Sequence, residues 1–165
     1  MTTDPTSKSL NVYIEIAEDV PAELSKGMPS EMDFVSYIRT TLSFIHYLKP
    51  IELGLRVVSY EESKALNFQY RRKDKATNVL SFPSDTPDYV DSNYIGDLAI
   101  CAQVLQDEAT EQNKDISHHW AHLCVHGVLH LLGYDHINDQ DADEMESIET
   151  GVLAKLGIDD PYTLS

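Results

Sequence analysis

Three histidines, His126, His130 and His136, fall within the eleven residues HGVLHLLGYDH. Imidazole is a neutral nitrogen donor, and two of them four positions apart on a helix stand on one face, Cβ atoms roughly 6 Å apart, close enough to share one ion. His126 and His130 meet that condition. A third donor cannot continue the same helix, because the bound ion projects sideways and the chain must turn back toward it. Gly133 can supply the turn, since glycine enters the left-handed conformation that ends helices without a Cβ penalty, and His136 then arrives on the returning segment. Three protein donors leave a tetrahedral ion one open position for water, which marks a catalytic rather than a structural site. Neutral donors also leave the ion its full double charge, which suits an anionic substrate. Such an ion lowers the pKa of bound water to about 7 and acts as a Lewis acid on a phosphoryl oxygen. One Zn2+ with a water in the fourth position is the expected cofactor, although imidazoles also suit nickel, copper and iron. His118 and His122 continue the four-residue stripe upstream, so a register built on His122 and His126 is the alternative. His46 and His119 read as ordinary hydrogen-bonding side chains.

The elements that must hold these residues follow from periodicity. Val12, Ile14 and Ile16 alternate and predict a strand over 11–17. Ser30 can cap a helix that carries Phe34, Ile38, Leu42 and Ile45 at helical spacing as far as Leu48, with Pro50 ending it. A second strand runs from Ile51 to Val58, after which Ser59 and Glu62 have the capping-box pattern that opens a helix through about Phe68. QYRRKDKATN, residues 69–78, has no apolar period and reads as a loop. VLSF and IGDLAI are two short strands separated by PSDTPDYVDSN, the segment expected to be mobile. Helices then span Cys101 to about Asn113, Ile116 to Leu132, and Asn138 or Asp139 to just before Gly157. The last is amphipathic, with Met145, Ile148, Val152 and Leu156 as the buried stripe and its acids facing water. Strands come mostly early and helices late, which predicts a single α+β domain over 1–165, its residues 1–9 flexible.

Composition narrows the function classes. At 165 residues and 42% hydrophobic, the chain can bury a core without disulfide or metal staples. Cys101 and Cys124 lack CxxC spacing and sit among apolar residues, so both are expected to be buried thiols. The polar MTTDPTSKSL carries no apolar signal region and no run reaches the length of a membrane span, which points to a cytoplasmic protein with no membrane partner. A net charge of −16 argues against generic electrostatic binding to nucleic acid. Distribution matters more than the sum. Arg71, Arg72, Lys73 and Lys75 crowd into one segment, while Asp139, Asp141, Asp143, Glu144, Glu146 and Glu149 form a separate acidic stretch. A cation cluster beside a metal ion would clamp a phosphodiester that the rest of the surface repels, and Arg71 and Arg72 are the better clamps because a guanidinium binds phosphate oxygens in bidentate fashion.

Several segments together, LNFQYRRKDKATNVLSFP at 66–83, IGDLAI at 95–100, HWAHLCVHGVLHLLGYDH at 119–136, EMESIE at 144–149 and DPY at 160–162, closely resemble the YbeY family of bacterial endoribonucleases. That resemblance implies an α+β fold in which a small mixed four-stranded sheet packs with about five helices around a central metal-binding helix. It implies zinc held by His126, His130 and His136, Arg71 as the catalytic arginine, and a cleft between the basic loop and the metal. The activity it implies is cleavage of single-stranded RNA, in maturation of the 16S rRNA 3′ end and in ribosome quality control. The implied partners are ribosomal RNA and the small ribosomal subunit. Many members carry aspartate where this chain has Asn78, and an asparagine cannot take a proton as a base. Asp97 reads as a strand-edge turn residue, with orientation of a histidine as the alternative, and Asp135 is similar.

The same histidine spacing occurs in metzincin proteases, the rival reading. Their mechanism needs a glutamate after the first histidine to deprotonate the attacking water, and this chain has Gly127 there. Met145, which could stand for their methionine turn, falls on the buried stripe of the acidic helix and reads as core. A third, non-enzymatic role, compatible with catalysis, is docking of a basic ribosomal protein on the acidic C-terminal helix.

Overall fold

The computed structural model describes residues 10–87, 90, 92–135 and 138–162. Its elements are β1 (Leu10–Ile16), α1 (Glu31–Phe44), β2 (Ile51–Val58), α2 (Tyr60–Arg71), β3 (Val79–Pro83), β4 (Tyr94–Cys101), α3 (Ala102–Glu111), α4 (Ile116–Leu131) and α5 (Asp139–Lys155), with a short 3-10 turn at Ala22–Ser25. The strands form one mixed sheet in the order β1-β2-β4-β3. β1, β2 and β4 run parallel, and β3 pairs antiparallel to β4 with Val79 opposite Ile100. The fold is α+β, as expected.

Local chemistry explains most boundaries. Ser30 accepts the Asp33 N–H at 3.1 Å while Asp33 accepts the Ser30 N–H at 3.0 Å, a reciprocal cap that opens α1. The helix stops at Phe44 rather than continuing to Leu48, and two residues later His46 takes a left-handed φ of 57°. Ser59 caps α2 by accepting the Glu62 N–H, but the expected reciprocal half is missing because the Glu62 carboxylate binds Arg56 instead, at 2.7 and 3.0 Å. Helix α2 also runs three residues past Phe68, so part of the segment read as a loop is helical. Its last turn is held by polar anchors: Asn67 donates to the Lys75 carbonyl at 2.8 Å, Ser63 to the Thr77 carbonyl at 2.9 Å, and the Tyr70 ring packs edge-on to Phe82 at 4.9 Å.

Helix α4 lies at the centre, in contact with β3, β4, α1, α3 and α5. One face sends Trp120, Leu123, Cys124, Val128 and Leu131 into the core shared with the sheet and α1, where Trp120 meets Phe34 edge-on at 5.9 Å. The opposite side sends Ala121, Val125 and Leu129 against Met145, Val152 and Leu153 of α5, so Met145 is core. Cys101 and Cys124 are free and buried, and burial pushes the Cys124 thiol up to about 12. The 83–93 segment includes residues 88, 89 and 91, which lie outside the described residues, as do residues 1–9. Among the described residues no helix is long and apolar enough to cross a membrane.

Candidate functional site

Asp115 starts α4 by accepting the Ser117 and His118 N–H groups, and the helix delivers His126 and His130 to its far end. The end itself is a two-bond cap: Tyr134 N–H reaches the Leu129 carbonyl and Gly133 N–H the His130 carbonyl, both at 3.0 Å. This cap needs the left-handed φ of 97° at Gly133, the turn anticipated from sequence. The chain thus reverses beside the histidine pair and is described to Asp135; His136 lies outside the described residues.

The Nε2 atoms of His126 and His130 are 3.1 Å apart. Two imidazole nitrogens bound to one tetrahedral zinc at 2.0–2.1 Å are separated by about 3.3 Å, so the pair fits a shared ion. The alternative register fits less well. His122 turns its Nε2 away from this point, donating to Glu149 at 2.7 Å, and its ring centroid is 6.4 Å from that of His126, against 4.6 Å between His126 and His130.

Glu149 corrects the reading of α5 as a helix whose acids all face water. Its side chain is 1% exposed and lies beneath the histidines. Oε1 accepts from His122 Nε2 and from the Tyr162 hydroxyl at 2.9 Å, and both oxygens are 3.3 Å from His126 Nδ1. Burial alone would raise this carboxyl, but the hydrogen bonds from His122 and His126 outweigh it and hold the group at about 2. His126 thus has its Nδ1 toward the Glu149 carboxylate and its Nε2 toward His130. Sequence reasoning missed Glu149, yet a signal existed: it lies four residues after Met145 and three before Val152, on the buried stripe.

A cleft of about 390 Å³ brings His126 and His130 together with Arg71, Asn78, Ser81 and Asp135. Arg71 comes from the last turn of α2 and is exposed, and the left-handed Arg72 (φ 59°) ends the helix there. Asn78 turns its amide nitrogen toward both Glu108 oxygens at 3.3 Å and accepts the Val79 N–H at 2.7 Å, so its side chain is held by the wall. Among the described residues no hydrogen bond joins Asp97 to a histidine; its carboxylate accepts from the Tyr94 hydroxyl and lines a separate cavity on the sheet. His119 is buried and bonds Glu108 at 2.9 Å, the ordinary role anticipated for it. A larger cavity of about 1110 Å³ along α1 contains none of the candidate residues, so the chemistry of the lining, not size, marks the site.

Gly127 sits on the buried side of α4. A Cβ built there would come within 2.8 Å of Leu98 Cδ2 and 3.2 Å of Val79 Cγ2. The position after the first histidine therefore faces the sheet, and the glutamate of a metalloprotease has no space at it.

The model of the family described as endoribonuclease YbeY matches residues 24–157, most of the chain. The chain belongs to the YbeY family. That family is one of endoribonucleases, hydrolases that cut RNA internally. Among solved structures, the solution structure of TM1509 from Thermotoga maritima is 21% identical, with a TM-score of 0.55 over 92% of this chain and 99% of that one. The two chains share their fold.

Proposed function

We propose that the protein is a zinc-dependent endoribonuclease that cleaves single-stranded RNA in the cytoplasm, acting in ribosomal RNA processing, including the 3′ end of 16S rRNA, and in ribosome quality control. The observation that carries this reading is the convergence of Arg71 with the His126–His130 pair on one cleft, in a family of endoribonucleases. His126, His130 and His136 would hold the ion, which when bound supplies an activated water and a Lewis acid for the phosphoryl oxygen.

The chain's own residues do the rest. Arg71 binds a non-bridging phosphate oxygen and stabilises the negative charge that grows as phosphorus becomes five-coordinate. The basic residues around it counter a net charge of −16 locally, so the phosphodiester is drawn to this cleft rather than to the surface at large. Asn78 shapes the wall and takes no proton. The exposed acids of α5, among them Asp143, Glu144 and Glu146, offer a docking face for a basic protein of the small ribosomal subunit. Peptide hydrolysis is disfavoured because Gly127 provides no base and has no room for one.

The test is elemental analysis of wild type and His130→Ala, with cleavage of single-stranded RNA assayed on the same samples. Zinc near one per chain, lost together with cleavage in the variant, is expected. Unchanged metal content in the variant would overturn the site, and chelator-sensitive peptidase activity without ribonuclease activity would establish the protease reading instead.

A further inference from the structure

Glu149 is a buried carboxylate with three side-chain donors around it, two imidazoles and a phenol, and no lysine or arginine among them. Two of these donors, His122 Nε2 and the Tyr162 hydroxyl, converge on Oε1, and each also lies within 3.1 Å of the other. Tyr162 reaches this point because the segment after α5 folds back: its N–H binds Asp160 Oδ1 at 2.8 Å, and the Thr150 hydroxyl also donates to Asp160. The Tyr162 ring then stands edge-on to His122 at 5.3 Å. The carboxylate is thus fixed from behind, and its front faces His126 Nδ1 with both oxygens at equal distance.

We infer that Glu149, held by His122 and Tyr162, is the positioning residue that sets the tautomer and ring orientation of His126, so that His126 Nε2 faces the His130 Nε2 as a lone pair. The role in metal binding rests on the function proposed above; the tautomer does not. A carboxylate that accepts the distal N–H of a metal-binding imidazole fixes its orientation and raises its basicity, and losing it commonly costs 10–100-fold in metal affinity.

Glu149→Gln separates this role from a merely structural one. The variant conserves volume and keeps one acceptor oxygen. That oxygen satisfies His122 and Tyr162, which leaves the amide NH2 opposite His126 Nδ1. An NH2 can only donate, so a proton on His126 Nδ1 keeps just Oε1, 3.3 Å away and already shared by His122 and Tyr162, and the tautomer shifts toward Nε2–H, which blocks an ion. Nitrogen-15 NMR of the zinc-free full-length chain reads the tautomer. Chelator competition reads zinc affinity.

The expected results are an Nδ1–H tautomer for His126 in wild type, an Nε2–H tautomer in folded Glu149→Gln, and about 10–100-fold weaker zinc binding by the variant. RNA cleavage should lose kcat with KM changed less than about twofold, because Arg71 is untouched. An Nε2–H tautomer in wild type, or wild-type zinc affinity in a folded Glu149→Gln, would overturn the inference. If the variant fails to fold, the wild-type tautomer still decides, together with Tyr162→Phe, which removes one donor to Oε1 and should weaken zinc binding by a smaller factor; unchanged affinity there counts against the clamp. If wild type binds no zinc at all, the proposed function fails while the tautomer measurement stands.

Discussion

Replacing Gly127 with alanine tests the packing that places the histidines. The new methyl group would lie 2.8 Å from Leu98 Cδ2, 3.3 Å from Leu98 Cδ1 and 3.2 Å from Val79 Cγ2. Leu98 is 1% exposed, so its methyl groups can move only by displacing other core atoms. Overpacking of this kind costs about 1–3 kcal/mol, against a gain of about 1 kcal/mol from exchanging a helical glycine for alanine. A net loss of up to about 2 kcal/mol follows, or a melting temperature lower by up to roughly 8 °C for a chain of this size. Gly127→Glu would add a carboxylate to the same apolar contact, at a cost of several kcal/mol, enough to unfold a marginal domain. Urea titration and thermal melts followed by circular dichroism measure both. The reasoning is refuted if Gly127→Ala is stabilised by about 1 kcal/mol, as a glycine facing open space would be, or if Gly127→Glu melts like wild type.

Other substitutions probe the cleft and its walls. Arg71→Ala should lower kcat on a fluorescent single-stranded RNA by about 10²–10³ with zinc content unchanged. Equal cleavage by a contaminant-free preparation would remove the clamp. Asn78→Asp brings a second carboxylate to about the 3.3 Å at which the amide nitrogen now faces both Glu108 oxygens. One of the pair is then raised, so stability falls at pH 7 by about 1–2 kcal/mol and returns as pH drops through the raised value; melts at pH 7 and pH 5 read the difference. For Glu108 itself, burial would raise the pKa, but hydrogen bonds from His119 and Asn78 hold it below its ordinary value. A depressed carboxylate stabilises above its unfolded pKa and loses that contribution as pH falls through the folded one. The melting gap between wild type and Glu108→Gln should therefore be widest near neutrality and close in acid, below the ordinary carboxylate range. Trp120→Ala, which empties the contact with Phe34, should cost about 3–5 kcal/mol.

The parts of the site governed by local rules were legible in the sequence. His126 and His130 share a face because of helical spacing, and Gly133 ends α4 where only glycine fits comfortably. β2 falls on the expected residues because Ile51, Leu53, Leu55 and Val57 alternate onto one buried face, and the start of α1 follows from Ser30 and Asp33. Less visible were features that depend on polar contacts between distant segments. The extension of α2 to Arg71 relies on Ser63 and Asn67 bonding the following loop, so no apolar period announced it. Glu62 abandoned its capping role because β2 presents Arg56 to it across six residues. Glu149 was hidden by its chemistry: a charged residue on a buried stripe is unfavourable until three donors from α4 and the segment after α5 are brought to it. The strand order, with β4 inserted between β2 and β3, is set by packing that no short window of sequence contains.

The carboxylate beneath His126 also orders events in time. A chain emerging from the ribosome presents His126 and His130 well before residue 149, so the imidazole pair is exposed before its acceptor exists. Until α5 docks and Tyr162 closes behind it, Glu149 does not face His126 Nδ1. Under the inferred role of Glu149, the imidazole pair takes its final geometry only once the helix that buries this carboxylate has docked.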